Sequence, residues 1–285
     1  MLLNYNKGVK GADCMSVYEF AKGLIIEAGN NVKKIMKEDI DIETKSNPND
    51  LVTNVDKSTE AYIVENVNKT YPNHSIIGEE GHGHDLTNVE GITWVVDPID
   101  GTLSFVHQQE NFAISIGIFQ DGQPYAGFVY DVMNDVLYHA KRGEGAFENE
   151  QPLPPIEETQ LHRSIIGINP NWLTKPKLGE MFKPIVESAR SSRAYGSAAL
   201  EIVAVATGKL AAYMTPRLQP WDFAGGVIIL NEVNGKASNL KGGDLSIYQA
   251  NSVVIANPSL HEELMTQYFS EHQSTINLLH ERLNN

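Results

Sequence analysis

Carboxylates at the edges of apolar runs constrain this chain more than any other feature of its sequence. Asp56 closes "LVTNVD", Glu79 and Glu80 close "SIIGEE", Asp97 and Asp100 close "WVVDPID", and Asp222 opens the apolar run of "PWDFAGG". Trp94, Val95 and Val96 have the apolar, β-branched character of a short buried strand. An acid that ends such a strand, or begins a helix, is anchored by packing instead of waving in solvent. Where several converge, two unit charges about 4 Å apart repel by about 4 kcal/mol at an effective dielectric of about 20. Such a cluster exists only if pKa values rise or cations neutralise it. All-oxygen donors favour hard cations, and Mg2+ suits carboxylates, water and a substrate phosphate. Pro98 and Ile99 separate Asp97 from Asp100. Pro98 stiffens that turn by fixing its own φ, and the Ile99 carbonyl is a further candidate ligand.

"DGT" followed by "LSF" reads as a tight turn entering a helix. A helix N-terminus presents free N–H groups and partial positive charge, which suits a phosphate. Gly101 lets the backbone approach closely, and Thr102 either caps the helix or holds a water. Metal ions and a phosphate cradle would thus meet within a few residues.

The chain has 285 residues, enough for one large domain or two moderate ones. Its formal charge of −14 argues against nucleic acid or an anionic membrane surface as partner. A single cysteine, Cys14, excludes an internal disulfide and points to a reducing, cytoplasmic setting. No apolar run is long enough to span a membrane. Residues 1–14 read as a poorly ordered leader, with Met15 as the expected start. The best boundary is the Pro- and Glu-rich "ENEQPLPPIEETQ", dividing an N-terminal α+β half, 15–155, from a C-terminal α/β half, 156–285.

Helical spacing predicts a helix from a Ser16–Glu19 capping box to about Lys37, then a polar loop through "KEDIDIETKSNPND". A second helix follows "DLVTNVDKSTEAYIVENVNKTYP", with Ile63, Val64 and Val67 facing inward, and Pro72 ends it. "FAISIGIF", "PYAGFVYDV" and "DVLYHA" predict an antiparallel meander ending near "GEGAF". Beyond the boundary, strands and helices alternate. "WDFAGGVIILNEVNG" is a helix closed by Gly235, and "SVVIANP" with "SLHEELMTQYF" makes a final strand and capped helix.

"WVVDPIDGTLSF" resembles the first signature of the inositol monophosphatase family. "PWDFAGG" resembles its second, and "IIGEE" its upstream metal-binding acid; "DLVTNVD" and "YGSAALEIVAVATG" match in order and character. The resemblance spans roughly residues 16–260. It implies a layered αβαβα sandwich shared with fructose-1,6-bisphosphatase, and a Mg2+-dependent, lithium-sensitive phosphomonoesterase acting on a small phosphorylated metabolite, as a homodimer. Two to three Mg2+ ions are implied. Glu79, Asp97 and the Ile99 carbonyl would hold the first, Asp97, Asp100 and Asp222 the second, and Glu79 with waters a weaker third. Thr102 and Asp56, with Glu79, would activate the attacking water. Substrate contacts would come from Asp100, Gly101, Thr102, Gly196, Ser197, Ala198, Thr215 and Asp222. One departure stands out. Inositol-specific members carry a glutamate where this chain has Thr215, which implies a broadened range including the 2'-phosphate of NADP(H) or a sugar phosphate.

Other readings fit less well. A P-loop NTPase would need G-x-x-x-x-G-K-[ST], which is absent. "DPIDGT" is similar to the D-x-D-G-T of haloacid-dehalogenase phosphatases, but its acids are spaced differently. Fructose-1,6-bisphosphatase, or another sugar or nucleotide phosphatase of the superfamily, remains an alternative. A non-catalytic interaction protein would have lost ligands that are all retained here. His82 and His84 in "GHGHD" read as surface-loop residues instead of a metal pair.

Overall fold

The computed structural model describes residues 16–37, 40–44, 51–84, 86 and 90–283. The leader and start expected at 1–14 and Met15 lie outside the described residues. In chain order the elements begin with α1 (Val17–Ile35), β1 (Ile42–Thr44), β2 (Leu51–Thr53), α2 (Asn54–Thr70), β3 (Ser75–Gly78), β4 (Ile92–Asp100) and α3 (Thr102–Gln108). The meander follows as β5 (Ala113–Gln120), β6 (Gln123–Asp131), β7 (Val136–Lys141), β8 (Ala146–Glu148) and β9 (Gln151–Pro152). Then come β10 (Ile165–Gly167), α4 (Pro176–Ser188), β11 (Ser191–Arg193), α5 (Ala198–Ala206), β12 (Ala212–Leu218), α6 (Pro220–Glu232), β13 (Lys236–Ser238), β14 (Asn251–Ala256), α7 (Pro258–Glu263) and α8 (Gln273–Leu283).

β3 to β9 form a seven-stranded sheet in sequence order, parallel only between β3 and β4. A five-stranded sheet has the order β11-β10-β12-β14-β13. Side-chain alternation separates the layers. On β5 and β6, Ile114, Ile116, Phe128 and Tyr130 face α1 and α2, while Ala113 and Val129 face α5 and α6. On β12 and β14, Tyr213, Val253 and Ile255 face the same central helices, whereas Ala212, Met214 and Val254 pack with Phe182 of α4 and Leu260 of α7. The layers therefore run helix, sheet, helix, sheet, helix: the expected αβαβα sandwich. α6 presses closely on the first sheet, because a Cβ on Gly117 would lie 2.6 Å from that of Ala224.

The structure departs from expectation in several places. The polar loop after α1 contains β1, paired antiparallel with β2. Its residues are exposed, so no apolar periodicity marks them. The left-handed residue closing α6 is Asn234, φ 61°, while the Gly235 N–H returns to the Leu230 carbonyl. The chain also continues past α7 into a π-helical turn, Leu264–Tyr268, and α8, whose only fully buried residue is Ile276. Thr102 is the first residue of α3 and does not cap it; Gly101 holds the capping position at φ 95°.

Candidate metal and phosphate site

The acids of "DPID" owe their arrangement to an irregularity. On a regular strand, residues three apart face opposite sides. Here Asp97 pairs with Ser115 but Asp100 pairs with Ala113, so β4 carries one extra residue. That bulge, which holds Pro98 and Ile99, turns both carboxylates to the same side. The Ile99 N–H donates to Asp97 Oδ1 at 3.0 Å. From the other side of the site, α6 brings Asp222 in its first turn, where Oδ2 accepts the Gln219 N–H at 2.8 Å. Asp97, Asp100 and Asp222 each offer an oxygen within 4.8 Å of the others. Glu79 follows β3, its N–H donating to the Val96 carbonyl at 3.2 Å, and its carboxyl hydrogen-bonds with Asp97.

Burial raises the Asp97 pKa well above the ordinary carboxylate range, and the charges of Glu79, Asp100 and Asp222 raise it further. Asp222 is likewise pushed well up, by burial and then by Asp100, with the Gln219 N–H and Arg217 opposing. Burial lifts Asp100 to about 6 against the Ser197 hydroxyl and the Ala199 and Ala198 N–H groups. Those donors are the start of α5. Asp100 Oδ2 accepts the Ala199 N–H at 2.8 Å and the Ser197 hydroxyl, and Oδ1 accepts the Ala198 N–H at 3.3 Å. Ser197 and Ala198 are thus engaged by Asp100 as well as lining the pocket beside it.

Thr102 Oγ1 lies 3.1 Å from both Asp56 Oδ1 and the Ile99 carbonyl. The capping box of α2 fixes Asp56, whose Oδ2 accepts the Thr53 N–H at 2.9 Å. Burial raises the Asp56 pKa, opposed by these hydrogen bonds. Gly101 offers no side-chain cap, and the first N–H groups of a helix have no intrahelical partner. A Cβ at Gly101 would approach the Asn111 and Gly196 carbonyls at 3.1 Å, besides straining its left-handed φ.

A pocket of about 240 Å³ opens beside Asp100 and Asp222, lined also by Gly196, Ser197, Ala198 and Thr215. A cleft of about 540 Å³ around Pro154–Thr159 borders none of the clustered acids. The smaller pocket also includes Asn169, Trp172 and Glu201, which sequence reasoning missed. Glu201 had a signal: it is the one charged residue in "SAALEIVAVA".

Glu201 is 4% exposed, and its Oε1 accepts the Tyr195 N–H at 2.8 Å while Oε2 is unpartnered. Burial lifts its pKa from 4.5 to about 7, opposed by the Tyr195 and Gly196 N–H groups and aided by Asp100. A folded-state pKa above the unfolded one means that this group's stabilisation is full below about pH 4.5 and is lost as pH rises through about 7. The melting temperature of Glu201→Gln relative to wild type should therefore climb by about 5 °C between pH 4 and pH 8, on the order of 3 kcal/mol. A calorimetric difference that stays constant with pH would refute this.

The family model described as "Inositol monophosphatase family" matches residues 13–274. The inositol-1-monophosphatase of Bacillus subtilis (strain 168) is 47% identical over 252 residues, covering 88% of this chain and 95% of that protein. The staphylococcal protein SaIMPase-II superposes with a TM-score of 0.88. Its inositol monophosphate complex is 60% identical, covering 95% of this chain and 100% of that one, and its 2'-AMP complex is 62% identical, covering 94% and 100%. An IMPase/NADP phosphatase complexed with Mg2+ and phosphate is 28% identical, with a TM-score of 0.81, covering 87% of this chain and 92% of that one.

Proposed function

The chain belongs to the inositol monophosphatase family, and from that premise we propose a Mg2+-dependent phosphomonoesterase that accepts inositol monophosphate and also phosphate on a nucleoside 2'-hydroxyl, including NADP(H). The enzyme is a phosphoric monoester hydrolase. The observation that carries the metal reading is the cluster itself. Asp97, Asp100 and Asp222 meet within 4.8 Å, and burial raises all three pKa values, with neighbouring charges adding to it at Asp97 and Asp222. The donor set is all oxygen, which fits Mg2+.

In this reading Glu79, Asp97 and the Ile99 carbonyl would hold one ion, and Asp97, Asp100 and Asp222 a second, with Glu79 contributing to a weaker third. When bound, the ions stabilise charge on phosphoryl oxygens and acidify a coordinated water. The remaining work falls to the chain. The Thr102 hydroxyl, 3.1 Å from Asp56 Oδ1, orients the attacking water and passes its proton towards that carboxylate. The N–H groups of Gly101 and Thr102 bind the phosphate oxygens. The pocket beside Gly196, Ser197 and Ala198 receives the leaving alcohol. A homodimer in the cytoplasm completes the proposal, supported by the family resemblance and the single cysteine.

Substrate range turns on Thr215, which is 4% exposed and lines the pocket together with Trp172. A SaIMPase-II complex with 2'-AMP supports the broader range. Steady-state kinetics on inositol 1-phosphate, 2'-AMP and NADP test it directly; turnover confined to the first would refute it. Thr215→Glu should shift the ratio of kcat/KM values towards inositol 1-phosphate by about tenfold, the worth of a charged hydrogen bond to a sugar hydroxyl. An unchanged ratio would remove Thr215 from the account of specificity.

A further inference from the structure

The "GHGHD" histidines join no ligand cluster among the described residues, yet neither is idle. The turn that carries Glu79 begins where β3 ends. The Gly78 N–H donates to the His82 carbonyl at 2.9 Å, closing the turn on itself. Two side-chain ties then fasten it to neighbouring elements. The first comes from α2. Glu60, 1% exposed, accepts the Glu80 N–H on Oε2 at 2.8 Å, and its Oε1 faces His82 Nδ1 at 2.5 Å. A carboxylate only accepts, so Nδ1 carries the proton. The second reaches α6. His84 Nε2 lies 2.7 Å from the Gly78 carbonyl, and its ring stacks on the Trp221 indole at 5.3 Å and 8°. The carbonyl fixes the proton on Nε2 by the same logic.

These ties have a shared geometry. Glu60 stands one helical turn after Asp56 on α2, and Trp221 immediately precedes Asp222 on α6. The turn bearing Glu79 is therefore bolted, through two imidazoles, to both helices that present acids to the site. Glu79 thus sits on a turn fastened by side chains on both flanks, while its own carboxyl reaches Asp97.

We propose that His82 and His84 are positioning residues that hold the Glu79 turn against α2 and α6 in its ion-binding geometry. This rests on the reading of Glu79 as a metal ligand. Partners that orient first ligands are typically worth 10- to 100-fold in metal affinity. Both histidines are exposed, which puts the expectation at the lower end.

The test is Mg2+ binding by titration calorimetry to full-length wild type, the His82→Ala/His84→Ala double variant and His84→Gln. Melting temperature without metal and hydrogen exchange across residues 78–84 are read alongside. The double variant should bind Mg2+ about tenfold more weakly and exchange faster in this turn. Its kcat at saturating Mg2+ should stay within about twofold of wild type, and its metal-free melting temperature within about 2 °C. His84→Gln, which keeps an N–H for the Gly78 carbonyl, should bind within about threefold of wild type. Unchanged affinity in the double variant overturns the inference. So does weakened affinity that comes with a matching fall in metal-free stability, since that describes general loosening. A wild type that binds no Mg2+ overturns the metal reading of the site, and this inference with it.

Discussion

Asp97→Asn should lower kcat/KM for inositol 1-phosphate by at least about a thousandfold while raising the melting temperature of the metal-free protein above pH 7. The loss of activity follows from its place: Asp97 touches Glu79 and lies among Asp100 and Asp222. Removing its charge deprives both proposed ion positions of a shared ligand, in a reaction that depends on electrostatic stabilisation. The gain in stability has the opposite origin. Burial and three neighbouring carboxylates raise the Asp97 pKa, so ionising it costs the folded state more as pH rises. Asparagine keeps the oxygen that accepts the Ile99 N–H and carries no charge, so the bulge survives. Phosphate release within tenfold of wild type, with unchanged Mg2+ binding, would show the assignment to be wrong.

Chelation should have a comparable effect without any substitution. Stripping divalent ions is expected to cut phosphate release at least a hundredfold, and added Mg2+ to restore it. Because the ions bind the folded state, Mg2+ at about 100 times its Kd should stabilise the protein by about 2.7 kcal/mol. The pH dependence is fixed in sign. Asp100 has a pKa of about 6 and its neighbours lie higher still than usual, so protons compete with the metal as pH falls. Apparent Mg2+ affinity should drop by at least about tenfold per unit below pH 6, one factor of ten for each proton the metal displaces. Activity indifferent to chelator, or binding that ignores pH between 5 and 7, would sink the metal reading.

Much of this site is legible in the sequence because each acid is tied to a strong local pattern. The apolar runs before Glu79 and Asp97 become β3 and β4, and "PWD" opens α6. What the sequence hides is relative orientation. Spacing alone places Asp97 and Asp100 on opposite faces, and only the pairing with Ser115 and Ala113 reveals the bulge that unites them. The exposed strand β1 and the sparse apolar face of α8 escape notice because they bury little. Glu60, His82 and His84 act through tertiary contacts, and nothing in their immediate neighbours announces that Glu60 meets His82 or that His84 stacks on Trp221.

The grip of α5 on Asp100 also imposes an order on biosynthesis. Asp100 leaves the ribosome 97 residues before Ser197, and Asp222 later still. At roughly 5–20 residues per second, a nascent chain carries its first acids for several seconds with no helix to receive them. The cluster of Asp97, Asp100 and Asp222 cannot assemble during that interval, however soon β4 pairs with its neighbours. On the proposed reading, a truncated translation product that lacks α5 and α6 would be inert.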